Sequence, residues 1–274
     1  MPASFHDGGP VILFTNENVA QYLNKIGGVK GKDVLSVAGS GDHAIEAYVH
    51  GAHHVDTFDI NQSQHAVQDL KLMMLKNLTR EQFINDIVTY KLVKPLSSEK
   101  LRRDAVNLIR EIDSAGVQIS LNYSMRCISY LQNKGLYNKA VEYVPEKLDF
   151  IHAHVLQLPV KLTRRYDVIL LSNILEYVQN GSHIESIVSY YDNVLEPLAC
   201  NNLNPGGVIC FDYMWGYELS SPKCKRYEAF WESFAKSLNK RLSCGKYRIA
   251  MHKVASTQIR PARPDFVFAM YKLR

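Results

Sequence analysis

The segment Val34-Leu-Ser-Val37 runs directly into Ala38-Gly-Ser-Gly41, and this junction constrains the fold of the 274-residue chain more than any other. A short apolar run bounded by a small-residue turn reads as a buried parallel strand feeding a helix. Glycines at 39 and 41 let the backbone turn sharply and lie close to a ligand. A second apolar strand, Val55 to Phe58, ends in Asp59, 20 positions after Gly39. That is the layout of a nucleotide-binding βαβ unit, in which the acid accepts hydrogen bonds from both ribose hydroxyls. Glycines alone would also suit a tight turn with no ligand; the acid at the end of the next strand argues against that reading.

The turn lacks a phosphate cradle. Gly-x-Gly-x-x-Gly would need glycine where Ala44 stands, and no Gly-x-x-x-x-Gly-Lys-Ser occurs. An adenosine ligand without phosphate fits better, and S-adenosylmethionine is the common one. Tyr166-Asp-Val-Ile-Leu-Leu-Ser172 and Leu203-Asn-Pro-Gly-Gly-Val-Ile-Cys-Phe211 supply two further strands in the right order. The pattern resembles a class I methyltransferase-like fold: α/β, a mostly parallel sheet closed by antiparallel C-terminal strands, here Tyr247 to Val254 and Phe266 to Leu273.

Composition is ordinary for a globular protein. Hydrophobic residues make up 46% and charged residues 22%, and a net charge of +5 leaves no strong nucleic-acid signal. The densest basic groups, Lys161 to Arg165 and Lys223 to Arg226, are short and read as solvated surface. The five cysteines show no Cys-x-x-Cys pairing and suit a reducing cytoplasm. No apolar run approaches the ~18 residues of a membrane span, and no basic-then-apolar leader is evident. A cytoplasmic protein is the expectation; the sequence says nothing of its oligomeric state.

We expect one S-adenosylmethionine-binding domain over 1–274, with a helical insertion at about 80–147. Asn16 to Leu23 reads as a short amphipathic helix, and a first crossover helix begins near Asp42 and ends before Gly51. Val67, Leu70, Met74 and Leu78 recur at helical spacing. Thr79 and Gln82 form a capping box for the next helix. The insertion carries Tyr90, Tyr123, Tyr130, Tyr137 and Tyr143, which serve either as packing or as an acceptor-binding lid. A further helix is expected through Phe230 to Leu238.

Methyltransferases usually carry an acid in the strand before the glycines, where this chain has Ser36. Ala38-Gly-Ser-Gly-Asp-His43, Asp59-Ile-Asn61 with Gln64, and Leu70-Lys71 resemble instead the S-adenosylmethionine:diacylglycerol 3-amino-3-carboxypropyl transferase family, of betaine-lipid synthase type. That family shares an Asp-x-Asn-x-x-Gln segment, a Leu-Lys pair on the same helix, a helical insertion, and a Leu-Ser dipeptide matched by Leu171-Ser172. The resemblance implies transfer of the aminocarboxypropyl group with methylthioadenosine as product. Methyl transfer is the alternative, and a non-catalytic S-adenosylmethionine-binding protein a further one. The acceptor is expected to be a small molecule, with polar, phosphorylated and lipid compounds all admitted.

Candidate ligand contacts are Ala38, Gly39, Ser40, Gly41, Asp59, Ile60, Asn61, Gln64, His154, Val155, Ser172 and Asn173. Asn61 serves equally well as a helix cap, and Gln64 as a solvated side chain. His152 and His154 are expected to alternate along one strand, with no third ligand for a metal, so no metal is expected; His154 suits the adenine edge. Glu176 and Tyr177 are the candidate catalytic pair, Glu176 as acceptor of a proton, with an exposed helical position as its other reading. Asp212 and Tyr213 emerge at the same edge. All three carbons on the sulfonium are electrophilic, so orientation rather than a special group chooses among them.

Overall fold

The computed structural model describes residues 11–89, 103–110, 117–118, 127–177, 189–214, 236, 246–255 and 265–273. Seven strands form one sheet: β2 (Asp33–Val37), β3 (His54–Asp59), β5 (Asp149–His152), β6 (Tyr166–Leu170), β7 (Leu203–Met214), β8 (Tyr247–Val254) and β9 (Asp265–Lys272). Their spatial order is β5-β3-β2-β6-β7-β9-β8. The first five run parallel, and β9 and β8 pair antiparallel at the far edge. This is the strand order of the class I methyltransferase-like fold. The order reverses between β2 and β6, and open α/β sheets bind ligands in the crevice outside the strand ends at such a point.

Successive side chains alternate across the sheet and enter two cores. Val34, Val168, Val208 and Cys210 pack on one face. Leu35, Ile169, Ile209 and Phe211 pack on the other. Burial on both faces explains why these strands read as apolar runs. The Pro-Gly-Gly turn lies inside β7: Tyr166 pairs with Leu203 but Val168 with Val208, so Asn204 to Gly207 bulge out of the ladder.

Three helices flank the site: α1 (Val19–Lys25), α2 (Asp42–Val49) and α3 (Gln62–Asn77). All eight residues of α2 are buried, charged ones included. Val67, Leu70, Met74 and Leu78 line the buried side of α3, as their spacing predicts. The next helix, α4 (Arg80–Thr89), starts with the expected capping box: Thr79 N–H donates to Gln82 Oε1 at 2.9 Å and Gln82 N–H to Thr79 Oγ1 at 3.2 Å. Between 80 and 147 the described residues also include helices at 103–110, Ser129–Gln132 and Lys134–Tyr143. The same span holds an unforeseen strand, β4 (Val117–Gln118), parallel to β1 (Val11–Ile12). The expected helix through Phe230 to Leu238 lies outside the described residues, Lys236 apart, as do Tyr90 and Tyr123. Among the described residues no helix is long and apolar enough to cross a membrane.

Candidate functional site

The carboxyl ends of β3, β2 and β6 lie side by side, and each delivers one element of the site. At β2 the turn Ala38–Gly41 is closed by Gly41 N–H donating to Ala38 carbonyl at 2.6 Å. Gly39 and Gly41 hold φ of +43° and +78°, which side-chain-bearing residues rarely adopt. A Cβ on Gly39 would meet nothing within 4 Å, so there is open space above the turn, whereas Gly41 packs closely on Gln68. Ser36, fully buried, turns its hydroxyl to the Val37 carbonyl.

Asp59 ends β3. One carboxylate oxygen accepts Gly39 N–H and the other Asn61 N–H, both at 3.0 Å, so the group is locked to the turn from two sides. Its side chain is nonetheless partly exposed. Burial is the main influence on its pKa, pushing it up to about 6 against the pull of these backbone N–H donors. His152 hydrogen-bonds the Ile60 carbonyl at 2.7 Å and so ties β5 to the same loop. Asn61 is the N-cap of α3, its side chain accepting from Ser63 N–H at 3.0 Å.

Two sequence expectations need correction, those for Gln64 and His154. Gln64 is not solvated: it is 2% exposed and its amide oxygen accepts Ile12 N–H at 3.1 Å. His154 does not share a strand with His152, because β5 stops at His152. His154 instead caps the short 3-10 helix Val155–Gln157, accepting Leu156 N–H at its Nδ1. The Val155 side chain packs into the core with Leu35 and Phe58. Tyr213 is a buried anchor: its hydroxyl donates to Asp265 at 2.9 Å and accepts Asn18 N–H at 3.2 Å.

Ser172, just past β6, has φ +55°, a strained conformation for a residue with a Cβ. Its hydroxyl donates to Glu17 and lies 3.2 Å from Asn173 Oδ1. Glu176 and Tyr177 fall in the following 3-10 turn, Ile174–Tyr177, and their side chains lie outside the described residues. Asp212 is buried in β7.

The residues that sequence reasoning missed form the floor of the site. Residues 11–18 lie as a strap across the strand ends. Thr15 N–H donates to Asp42 at 2.8 Å, and Glu17 meets His43 Nε2 at 3.1 Å. Asp42 also accepts Ser40 Oγ, Lys71 Nζ and Tyr130 Oη, each at 2.7 Å. Lys71, 0% exposed, sits 4.3 Å from the centre of the Phe14 ring. Burial pulls its pKa down while Asp42 pushes it back. The one available signal was Asp42-His43 immediately after the glycines, with Glu46 a turn later on a helix buried all round. Tyr130 and Tyr137 of the insertion serve as buried donors, Tyr137 to the Leu78 carbonyl at 3.0 Å, and Tyr143 is exposed.

At the opposite end of the sheet, His54, Asp56 and Asp149 bring three possible ligand atoms within 4.8 Å of one another. Asp56 there accepts the Tyr166 hydroxyl at 2.7 Å and lies 3.5 Å from the Arg164 guanidinium, whose charge opposes a metal ion.

No protein-family model matches the chain, and no curated protein matches it. Solved structures similar to it include a "conserved hypothetical protein" of Streptococcus pyogenes (13% identity, 92% of each chain covered, TM-score 0.41). Another is a ribosomal protein L11 methylase from Lactobacillus delbrueckii subsp. bulgaricus (13% identity, 93% of this chain and 78% of that one, TM-score 0.38). A third is the N-methyltransferase NodS from Bradyrhizobium japonicum in complex with S-adenosyl-L-homocysteine (10%, 93% and 82%, TM-score 0.39). The fold assignment rests on the strand order itself.

Two outcomes follow from this geometry. Lys71→Ala leaves a buried carboxylate without its cation, and urea denaturation should show a loss of about 3–5 kcal/mol. Asp59 has a folded pKa of about 6 against an ordinary 3.8. The folded state therefore keeps a proton that the unfolded chain has already lost, and stability falls as pH rises between these values. Denaturation across that window should show a drop of about 1–3 kcal/mol, allowing for solvent screening, that Asp59→Asn abolishes.

Proposed function

We propose that this chain is an S-adenosylmethionine-dependent transferase, a single cytoplasmic domain with its insertion at about 80–147, acting by methyl transfer on a small-molecule acceptor. The observation that carries the reading is Asp59: a carboxylate locked to the glycine turn by two backbone N–H groups, yet partly exposed beside open space. Each oxygen keeps a lone pair for one hydroxyl of a ribose diol. The bare backbone of Ala38, Gly39, Ser40 and Gly41 lets the nucleoside lie close. Ile60, Asn61 and His154 flank the adenine side, and Ser172 and Asn173 the amino-acid side.

When bound, S-adenosylmethionine supplies a sulfonium with three electrophilic carbons. The protein's part is to hold it and to orient the acceptor in line with one of them. Glu176, in the turn after Ser172, is proposed to receive the acceptor's proton, with Tyr177 as its partner in the catalytic pair. Methyl transfer is preferred because two residues behind the aminocarboxypropyl reading are engaged internally, Gln64 on Ile12 and Lys71 on Asp42. That second reading keeps one observation in its favour: Ser36 leaves the end of β2 without the acid usual in methyltransferases.

Calorimetry should show S-adenosylmethionine binding, weakened by about 1.5–3 kcal/mol in Asp59→Ala. Tight binding of NAD or ATP with S-adenosylmethionine ignored would refute the assignment. Mass spectrometry after incubation with cell extract then separates the chemistries. S-adenosylhomocysteine marks methyl transfer and methylthioadenosine aminocarboxypropyl transfer, while unchanged ligand marks a non-catalytic binder.

A further inference from the structure

Glu17 is a buried carboxylate that pairs with no lysine or arginine among the described residues. It is 1% exposed, and the strap that carries it is pinned on both sides: Thr15 N–H on Asp42, Asn18 N–H on the Tyr213 hydroxyl. Its partners are the Ser172 hydroxyl and His43 Nε2. His43 is itself buried, and among the described residues its Nδ1 has no hydrogen-bond partner. A proton on Nδ1 would therefore be buried without an acceptor, and the hydrogen bonds are complete with one ring proton, at Nε2. Among the described residues Glu17 forms no ion pair with lysine or arginine, and Lys71, the buried cation of the network, is held by Asp42. Burying a carboxylate in this way is unfavourable unless a positive charge arrives from elsewhere.

The position of Glu17 indicates where that charge comes from. Ser172 follows β6, Asp59 ends β3, and β2 with its glycine turn lies between them. Strands stand about 4.8 Å apart, so Asp59 and Ser172 flank a span on the order of 10 Å. A nucleoside with its ribose on Asp59 and its body over Gly39 extends its 5′ substituent towards Ser172 and Glu17. A carboxylate offers about four acceptor positions, and the Ser172 hydroxyl and the His43 ring occupy two.

Resting on the reading of the previous section, we propose that Glu17 is the counter-charge for the α-ammonium of the ligand's amino-acid arm. The ammonium sits on the Glu17 carboxylate beside the Ser172 hydroxyl. The chain thereby supplies from its strap an acid that the end of β2, with Ser36, does not have. The strained Ser172 backbone aims the hydroxyl at this point.

The test uses two ligands that differ in the arm alone. S-adenosylhomocysteine carries the ammonium; methylthioadenosine has the same nucleoside and no amino-acid arm. Titration calorimetry on the wild type and Glu17→Gln, with thermal melts to verify folding, should show S-adenosylhomocysteine weakened roughly 10-fold or more. Methylthioadenosine affinity should stay within about 2-fold, since it makes no charge-assisted contact there. Equal losses for both ligands, or no loss for S-adenosylhomocysteine, overturn the proposal and leave the functional reading intact. A wild type that binds neither ligand overturns both. If Glu17→Gln does not fold, Glu17→Asp replaces it: the charge remains but is withdrawn by one methylene, and the same selective loss is expected.

Discussion

The Asp42 carboxylate is the contact on which the rest of the site depends. Four donors converge on its two oxygens: Thr15 N–H from the strap, Ser40 Oγ from the glycine turn, Lys71 Nζ from α3 and the Tyr130 hydroxyl from the insertion. A buried charge is tolerable when paired and fully hydrogen-bonded, and this one is. Glu46, one turn along α2, does the same for the start of helix Ser129–Gln132, accepting Ser129 N–H at 2.5 Å and Ser129 Oγ at 2.7 Å. Strap, turn, crossover helix and insertion are thus fixed in register by polar bonds rather than by apolar contact alone.

The two ends of the sheet divide their labour. At the amino ends of the strands, Asp33 binds His53 and Arg164, while Asp56 binds His54 and Tyr166. Those charges are paired with one another; His53 and Arg164, leading through their hydrogen bonds, hold the Asp33 pKa below the ordinary carboxylate value despite partial burial. At the carboxyl ends, among the described residues, Asp59 accepts neutral backbone donors and Glu17 a hydroxyl and an imidazole. The cation pairs at the amino ends and the neutral donors around Asp59 and Glu17 give the two ends different electrostatic characters.

How much of this was legible in sequence depended on distance along the chain. The strands and Asp59 could be read because short apolar runs, turn glycines and a strand-terminal acid are local signals. The Thr79–Gln82 box, which spans only one turn, was legible for the same reason. Glu17 meets His43 across 26 residues and Ser172 across 155, and Lys71 meets Asp42 across 29; no local pattern announces such pairings. Family-like motif positions misled in an instructive way. Gln64 stood out through the Asp-x-Asn-x-x-Gln segment and Lys71 through the Leu-Lys pair, and their side chains answer the strap and Asp42. Val155 followed a strand end, as a ligand contact would, and its apolar side chain turned inward instead.

The strap has a consequence for how the molecule is made. Asn18 bonds Tyr213 and, across 237 residues, Ala255; Gln21 reaches Ala255 across 234. A ribosome makes Gln21 234 residues ahead of Ala255. Contacts this distant in sequence form late and slow folding. The nascent chain therefore carries an unfinished crevice until those distant residues follow, and the strap is made well before it can be seated.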